Sequence, residues 1–352
     1  LLIPGNVRLS DLQHYTTETR LHQNWFGPNQ QYSNPYYVRH QYQNSDERWR
    51  AFGYYAANLN LADWLKFSAK YAFDYYRTRL QSSNLSLGDQ AISSKTQHWS
   101  EKVTTDGMQR GEENHFEHNI SFMLLGDRQL AETFRLGYNL GSNIMYLQHE
   151  VLNAGVENML SKDNWIFNTG ARLNSANNNG YQRAMYSAFG SLQLSYNEYL
   201  SLDLTARNDW SSTLPSETRS YFYPAVSGSI IMSQLLKMPE WLNFWKLRGA
   251  WTVTKSDLGI YDTNQAYSVS TNVWDGMNTA VYPEMIRSTT LEPTAARSYE
   301  IGTAFNVWDN RLRFDISYYN KLKYNLTREA TISGSSGFTK TLVNYDEEQV
   351  RR

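Results

Sequence analysis

The chain has 352 residues, a formal net charge of −1 and no cysteine. The balanced charge argues against a nucleic-acid surface, which normally carries a basic excess, and the lack of cysteine excludes a disulfide scaffold and a thiolate-ligated metal site. There are 26 Tyr, 14 Phe and 11 Trp, yet the mean hydropathy is −0.62. This combination fits a membrane β-barrel with a wet lumen, and it equally fits a soluble all-β binding protein.

The first 47 residues are polar and aperiodic, and we predict a long ordered excursion there and no separate domain. Beyond them, about ten segments alternate apolar with polar residues, as strands with two unlike faces do. In one segment Leu202 and Leu204 alternate with Asp203 and Thr205. The predicted strands cover residues 48–60, 64–79, 114–125, 130–147, 182–197, 199–209, 219–233, 243–254, 296–307 and 311–327.

The lengths of the predicted strands point to a membrane. Ordinary strands have about 5 to 6 residues, and a tilted strand that crosses a bilayer needs about 9 to 11. All of the predicted strands reach or exceed the second value. The sequence contains no run of about 18 apolar residues, so no membrane-spanning helix is predicted.

Short and long connections alternate between the predicted strands. Tight turns are predicted at residues 62–63, 126–129, 198 and 308–310, and a short helix is predicted at 234–241 on the same side. Membrane barrels show this pattern, with short periplasmic turns and long extracellular loops. The predicted long connections are residues 80–113, 148–181, 210–218, 255–295 and 328–341, with hairpins near 96–103 and 163–173, and residues 328–352 are predicted to hold a loop and the start of a further strand.

Aromatic residues gather near the ends of the predicted strands. Aromatic rings at the level of the lipid headgroups form the two girdles of membrane barrels. The alternative is that aromatic residues simply favour strands. The predicted girdle residues are Trp64, Tyr75, Tyr76, Trp210, Tyr221, Tyr223, Trp245, Trp308 and Tyr319.

Several short motifs occur in a fixed order, and the segment Ala206–Pro215 (ARNDWSSTLP) is the most specific of them. The others are Arg8–Leu12, Asn24–Gln30, Asn34–Tyr36, Tyr221–Pro224, Trp245–Arg248, Leu291–Pro293, Ser298–Gly302 and Gly334–Thr339. In these motifs the chain resembles the SusC/RagA-type TonB-dependent outer-membrane transporters. The resemblance implies a barrel of 22 strands filled by an N-terminal plug, import of oligosaccharides or peptides powered by the TonB complex, and a SusD-like surface lipoprotein partner.

The chain departs from this family pattern in several places. The plug, the TonB-contacting segment and further barrel strands have no counterpart in the sequence, and Thr252–Lys255 stands where the family often carries a glycine. We therefore expect residues 1–352 to form a central part of the barrel domain, with TonB contacts made through the plug region.

Aromatic residues in the predicted external segments are the candidate substrate contacts. Flat rings stack on sugar faces, and carboxylates and amides bond to hydroxyl groups, so binding groups are expected on loops over a rigid scaffold. The alternative is that these residues pack the loops or touch a partner protein. The candidates are Trp25, Phe26, Trp210, Tyr261, Tyr267, Trp274 and Asp275, accompanied by Asp262, Asn264, Asn272 and Asn278.

Charged residues on the polar side of the strands are predicted to face the lumen. They would pair across strands, contact the plug or line the path, and structural pairing is the favoured role. The predicted lumen-facing residues are Asp203, Arg207, Lys246, Arg248, Arg313 and Asp315.

The sequence gives little support for chemistry. His115 and His118 stand three apart, which on a strand places them on opposite faces, so no metal site is predicted there. No nucleophile-elbow motif occurs, and no catalytic residue or cofactor is predicted. The leading hypothesis is outer-membrane nutrient import, including carbohydrate uptake; a soluble all-β carbohydrate-binding or adhesion module and a membrane-barrel enzyme are the alternatives.

Overall fold

The computed structural model describes residues 7–16, 34–84, 107–159, 166–275 and 277–351, and most of them are in β-strands. The short helices are α1 (Pro35–Gln41) and α2 (Met232–Leu235). None of the helices in these ranges is long and apolar enough to span a membrane. The strands are β1 (Tyr42–Ala62), β2 (Leu65–Asn84), β3 (Gly107–Ala131), β4 (Phe134–Met159), β5 (Gly170–Tyr196), β6 (Leu200–Ser211), β7 (Ser220–Ile231), β8 (Leu242–Ser256), β9 (Ser268–Trp274), β10 (Met277–Val281), β11 (Met285–Ile286), β12 (Thr294–Val307), β13 (Leu312–Thr331) and β14 (Lys340–Arg351).

Twelve of these strands form one sheet in the order β1 to β8, β12, β13, β14 and β11. In the series β5, β6, β7, β8, β12, β13 and β14 each strand pairs antiparallel with the next, and the two-residue β11 pairs parallel with β14. Strands β9 and β10 form a separate antiparallel hairpin. The predicted all-β antiparallel architecture is confirmed.

The described residues fall into two compact units. The first comprises Leu1–Phe52, Asp74–Phe116 and Gln148–Tyr181. The second comprises Gly53–Phe73, Glu117–Leu147 and Gln182–Arg352.

Tight turns join the strands at one end of each hairpin, which we call the short-turn end; the opposite end is the long-loop end. At Trp308, Asp309 and Asn310 the backbone φ angles are 52°, 53° and 63°. Asp and Asn tolerate this left-handed conformation better than most residues. A tight turn therefore forms where the sequence predicted one.

The turn predicted at residues 126–129 is wrong, because β3 continues to Ala131 and the chain reverses at Glu132 and Thr133. Gly126 serves a different purpose: a Cβ placed there would lie 2.2 Å from the Tyr138 ring, so glycine permits the ring to approach the strand. Asp127 also has a role within the hairpin, since it accepts two hydrogen bonds from Arg135. Glycine and aspartate are common in turns, but here both residues lie within the paired strand β3.

Several strands are longer than predicted, and the predicted loop over residues 148–181 is wrong. β4 continues to Met159 and β5 begins at Gly170. The polar run Asn174–Gly180 belongs to β5 and lacks the apolar alternation that marks a strand facing two environments.

Three other predicted segments also differ from the structure. Residues 1–47 contain α1 and the start of β1, and the segment 255–295 contains β9 to β11. The helix predicted at 234–241 is only the four-residue α2.

The two faces of the sheet differ in chemistry, and we call them the apolar face and the polar face. In the second unit Leu204 pairs with Leu192 of β5 and Val226 of β7, and such directly paired residues share a face. Large side chains on this face remain exposed, with Ile301 at 65% and Ile316 at 58%. A soluble sheet would bury such a face, whereas a lipid-facing sheet presents it outward.

Candidate functional site at the long-loop end

A buried carboxylate fixes the loop that follows β8. Asp257 accepts hydrogen bonds from Arg183 Nη2 at 2.7 and 2.9 Å, from Ser211 Oγ at 2.5 Å and from Thr213 Oγ1 at 3.1 Å. The side chain of Asp257 is 10% exposed and that of Arg183 is 27% exposed. Because a buried charge is stable only when it is paired and hydrogen-bonded, this contact ties the loop to β5 and β6.

A second carboxylate lies nearby on the polar face of β6. Asp209, only 3% exposed, accepts hydrogen bonds from Arg207 Nε at 2.8 Å and from the Tyr223 hydroxyl at 2.6 Å. Arg207 also donates to Ser187 Oγ at 3.0 Å. These bonds link β5, β6 and β7 at their long-loop ends.

An apolar cluster packs beside the two carboxylates. At its centre is Leu291, which is 1% exposed and lies in the segment between β11 and β12. Thr218 Oγ1 donates to the Leu291 carbonyl oxygen at 2.6 Å, so the cluster also holds the β6–β7 connection. The buried members are Leu214, Tyr221, Leu258, Leu291 and Leu342.

The motif Ala206–Pro215 supplies much of this arrangement. Asp209 and Ser211 are hydrogen-bonded on the polar face, and Leu214 enters the apolar cluster. The sequence motif therefore corresponds to a structural anchor of the loops. Asp257 and Arg183 were missed by the sequence analysis because they come from segments 74 positions apart and neither belongs to a local pattern.

Three of the predicted substrate contacts are exposed in the long β8–β12 connection. Tyr261, Tyr267 and Trp274 are 52%, 65% and 75% exposed. Tyr267 packs edge-on against Tyr282 with ring centroids 5.6 Å apart. Asp275 follows Trp274 in the β9–β10 turn with a φ of 49°. The hairpin therefore presents aromatic rings on an ordered base.

Asp262, predicted to accompany these aromatics, has a structural role. Its backbone carbonyl accepts a hydrogen bond from Arg287 Nη1 at 3.2 Å, and its carboxylate lies 3.5 Å from the same guanidinium. Gln265 holds the same segment, because its Oε1 accepts from the Arg287 backbone N–H at 2.7 Å. These contacts order the base of the loop.

The location predicted for Trp210 is wrong. The residue belongs to β6 and not to a loop, and it pairs with Tyr186 of β5 and Ser220 of β7. It is 38% exposed on the apolar face, opposite Asp209, which agrees with the predicted girdle and not with the predicted substrate contact. Trp25 and Phe26 lie outside the described residues, as does the side chain of Asn272.

The predicted girdle is also wrong for residues on the polar face. Tyr221 and Tyr223 stack on each other with centroids 6.1 Å apart, beside the carboxylates. Tyr76 stacks on His115 at 4.6 Å, and Tyr319 pairs with Glu300 of the polar face. The girdle was predicted from the position of these rings near strand ends. Whether a ring faces lipid depends instead on whether it stands at an odd or an even position of the alternating pattern.

The charged residues predicted to face the lumen share the polar face. Register pairs connect this face across five strands, through Asp203, Ser227, Ala250, Glu300 and Tyr319. The remaining predicted residues lie an even number of positions from one of these five, so their side chains point to the same side. These remaining residues are Arg207, Lys246, Arg248, Arg313 and Asp315.

Some of these charges are paired. Arg248 Nη2 lies 2.7 Å from Asp315 Oδ1, and Arg248 Nε lies 3.7 Å from Glu300 Oε1. Within the described ranges, Asp203, Lys246 and Arg313 make no ion pair. Structural pairing therefore accounts for only part of the set.

The histidines occupy separate environments. His115 stacks on Tyr76 and lies 5.8 Å from the His149 ring, whereas His118 Nδ1 forms a 2.7 Å hydrogen bond with the Tyr71 hydroxyl. His115 and His118 stand on opposite faces of β3, as their spacing predicts. Among the residues that the structure describes, no group of His, Asp or Glu side chains is arranged to hold a metal ion.

Comparisons with known proteins identify a family. The sequence profile described as "TonB dependent receptor-like, beta-barrel" matches residues 4–351. No curated protein matches the chain. Among solved structures, the RagAB peptide transporter is similar with a TM-score of 0.77 and 17% identity, covering 90% of this chain and 34% of that chain. The RagAB peptide importer in its "open-open" and "closed-closed" states gives the same values. The chain spans about a third of the length of these transporters, and the likeness shows the fold.

Proposed function

We propose that this chain, which belongs to the TonB-dependent receptor-like β-barrel family, forms part of the wall and the external loops of a nutrient importer. Family membership confirms the predicted transmembrane β-barrel fold and the predicted location in the bacterial outer membrane. The predicted SusC/RagA-type resemblance is confirmed as well.

The observation that carries the proposal is the anchored loop at the long-loop end. The Asp257 contacts and the Leu291 cluster fix the β8–β12 connection on the strand ends, while Tyr267 and Trp274 remain exposed on it. A binding site for a soluble nutrient needs recognition groups on loops that a rigid scaffold positions. This connection meets both requirements.

The proposed substrate is an oligosaccharide or a peptide. Tyr261, Tyr267 and Trp274 offer flat rings for stacking, and Asp275 offers a carboxylate for hydroxyl or amine groups. These groups suit sugar rings and peptide side chains equally. The RagAB proteins are described as transporting peptides, which makes a peptide the first substrate to test.

The polar face is proposed to line the lumen. A membrane barrel alternates apolar side chains toward lipid with polar ones toward its interior. Asp203, Lys246 and Arg313 would then meet the substrate or the plug, while the Arg248–Asp315 pair braces the wall. The proposed partners are a SusD-like surface lipoprotein over the loops and the TonB complex through a plug domain.

Uptake by cells that express the full-length protein tests this function. Trp274→Ala should lower uptake of a labelled peptide or oligosaccharide by about fivefold. An aromatic ring that becomes buried against the substrate contributes about 1 kcal/mol or more to binding. The control is Trp241→Ala, which removes another exposed ring, 53% accessible, at the short-turn end. Uptake that persists after the inner-membrane energy source is dissipated would contradict TonB-dependent import.

Fractionation separates this proposal from the alternatives. A soluble carbohydrate-binding or adhesion module would be recovered without detergent, which the exposed apolar face argues against. An enzyme would lose turnover on replacement of a single histidine. Recovery of the native full-length protein in the soluble fraction would contradict the importer.

A further inference from the structure

A cleft on the apolar face of the first unit lies outside the proposed import site. Its volume is about 280 Å³. The rings of Tyr75 and Phe116 meet edge-on with centroids 6.0 Å apart, and Trp49 packs against Tyr75 at 5.6 Å. The cleft is lined by Tyr75, Asn114, Phe116, Gln148 and Glu150.

The cleft lies where the outward side chains change from apolar to polar. Along β2 every second residue on this face is apolar from Leu65 to Tyr75, and the next one is Arg77. The stretch from Leu65 to Tyr75 matches the roughly 9 to 11 residues that cross a bilayer. Along β3 the same change occurs from Phe116 to Asn114. The cleft therefore stands at the level of the lipid headgroups, where amphipathic rings gather.

The polar rim of the cleft is formed by the amides of Asn114 and Gln148 and the carboxylate of Glu150. Gln148 Nε2 donates to Glu150 Oε1 at 2.8 Å, and Asn114 Nδ2 donates to Glu112 Oε1 at 3.2 Å. A carboxylate only accepts, so each amide must turn its nitrogen toward the carboxylate. The Oε1 of Gln148 and the Oδ1 of Asn114 make no hydrogen bond within the described residues, and they remain to accept from a ligand.

This rim selects among lipid headgroups. The negative charge of the Glu150 carboxylate repels phosphate, whereas the hydroxyl groups of a sugar can donate to this carboxylate and to the two amide oxygens. The Tyr75 and Phe116 rings offer an apolar wall for the sugar ring. The cleft is also continuous with the face that contacts lipid, which puts a membrane-anchored ligand within its reach.

We propose that this cleft binds the neutral or amino-sugar headgroup of a glycolipid in the outer leaflet. The residues that line this cleft are all different from those of the proposed import site. Its ligand would be a permanent neighbour in the membrane and not the cargo.

Lipid retention by the full-length receptor tests the proposal. The protein is reconstituted in nanodiscs of phosphatidylethanolamine with minor, equal amounts of monohexosyl diacylglycerol and phosphatidylglycerol, and the lipids it keeps after detergent exchange are counted by native mass spectrometry. The wild type should retain the hexosyl lipid. Replacing both Asn114 and Gln148 with alanine should lower this retention about tenfold, since two hydrogen bonds are lost.

The chain offers a matched control cleft of about 350 Å³ on the apolar face of the second unit, with rings but with Arg219 in place of the acceptor rim. Tyr186→Ala in that cleft should leave retention of the hexosyl lipid unchanged. If the double variant does not fold, Gln148→Leu alone removes one acceptor and should reduce retention less. Equal retention by all variants, preference for phosphatidylglycerol, or full displacement by an equal concentration of soluble methyl hexoside would each overturn the proposal.

Discussion

Removal of the Asp257 carboxylate is the sharpest test of how the long-loop end is held together. Asp257→Ala takes the acceptor from Arg183, Ser211 and Thr213 at once. It leaves a guanidinium that is 27% exposed without its counter-charge. We expect the β8–β12 connection to detach from β5 and β6 while the strands remain paired.

The expected cost follows from burial. Breaking a buried ion pair by removing one partner costs about 3–5 kcal/mol, because the remaining charge stays uncompensated. The incomplete burial of Arg183 lets water replace part of the loss, so the lower end, about 3 kcal/mol, is expected. Asp257→Asn keeps an acceptor for the two hydroxyl groups and should cost less than the alanine variant.

Two measurements on the full-length protein in detergent micelles check this value. Denaturant unfolding followed by tryptophan fluorescence gives the change in free energy of unfolding, and limited proteolysis reports whether the loop becomes cleavable between residues 257 and 293. Asp127→Ala is the control, because Asp127 also pairs with an arginine but is 55% exposed, and exposed pairs contribute little. If Asp257→Ala and Asp127→Ala unfold alike and the loop stays resistant to protease, the anchor assigned to Asp257 is refuted.

Two further predictions concern the faces and the packing of the strands. Leu202→Arg on the apolar face should cost roughly 2–4 kcal/mol near the membrane midplane, whereas Thr205→Arg on the polar face should be tolerated; the fraction of heat-resistant folded protein on a gel compares them, and equal yields would contradict the assigned faces. Gly170→Ala would place a Cβ 2.5 Å from Val156 Cβ, so it should destabilise the first unit by about 1–3 kcal/mol and raise its cleavage by protease. Gly334→Ala, whose Cβ meets nothing within 4 Å, should leave cleavage unchanged.

The faces of the sheet could be predicted from the sequence because the strand repeat is two residues. Leu202 and Asp203 are neighbours in a strand and therefore point to opposite faces, so no tertiary information is needed to assign their faces. The same rule failed for the long-loop halves of β4 and β5, where polar residues such as Asn177, Asn178 and Asn179 occupy both faces. Strands without an apolar face leave no periodic signal, so they were predicted as loops.

The anchor of the candidate site could not be predicted, since its members are distant in sequence. Arg183 and Asp257 meet because the loop after β8 reaches across to β5 and β6. That geometry depends on strand register and on the length of the β6–β7 connection. Trp210 was misplaced for a related reason: its motif looked like a loop, and only the ladder with Tyr186 shows that it is a strand residue.

At the long-loop end, the ordering of the loops therefore depends on the register of the strands. In β6, Asp209 and Ser211 hold the loops on the polar face while Trp210 between them occupies the apolar face. A slip of one residue would turn both polar groups toward lipid and the indole into the cluster. A carboxylate facing lipid is costly, and Asp257 would lose Ser211 as its donor. Correct pairing of β6 with β5 and β7 is therefore required before the proposed binding loop can be ordered.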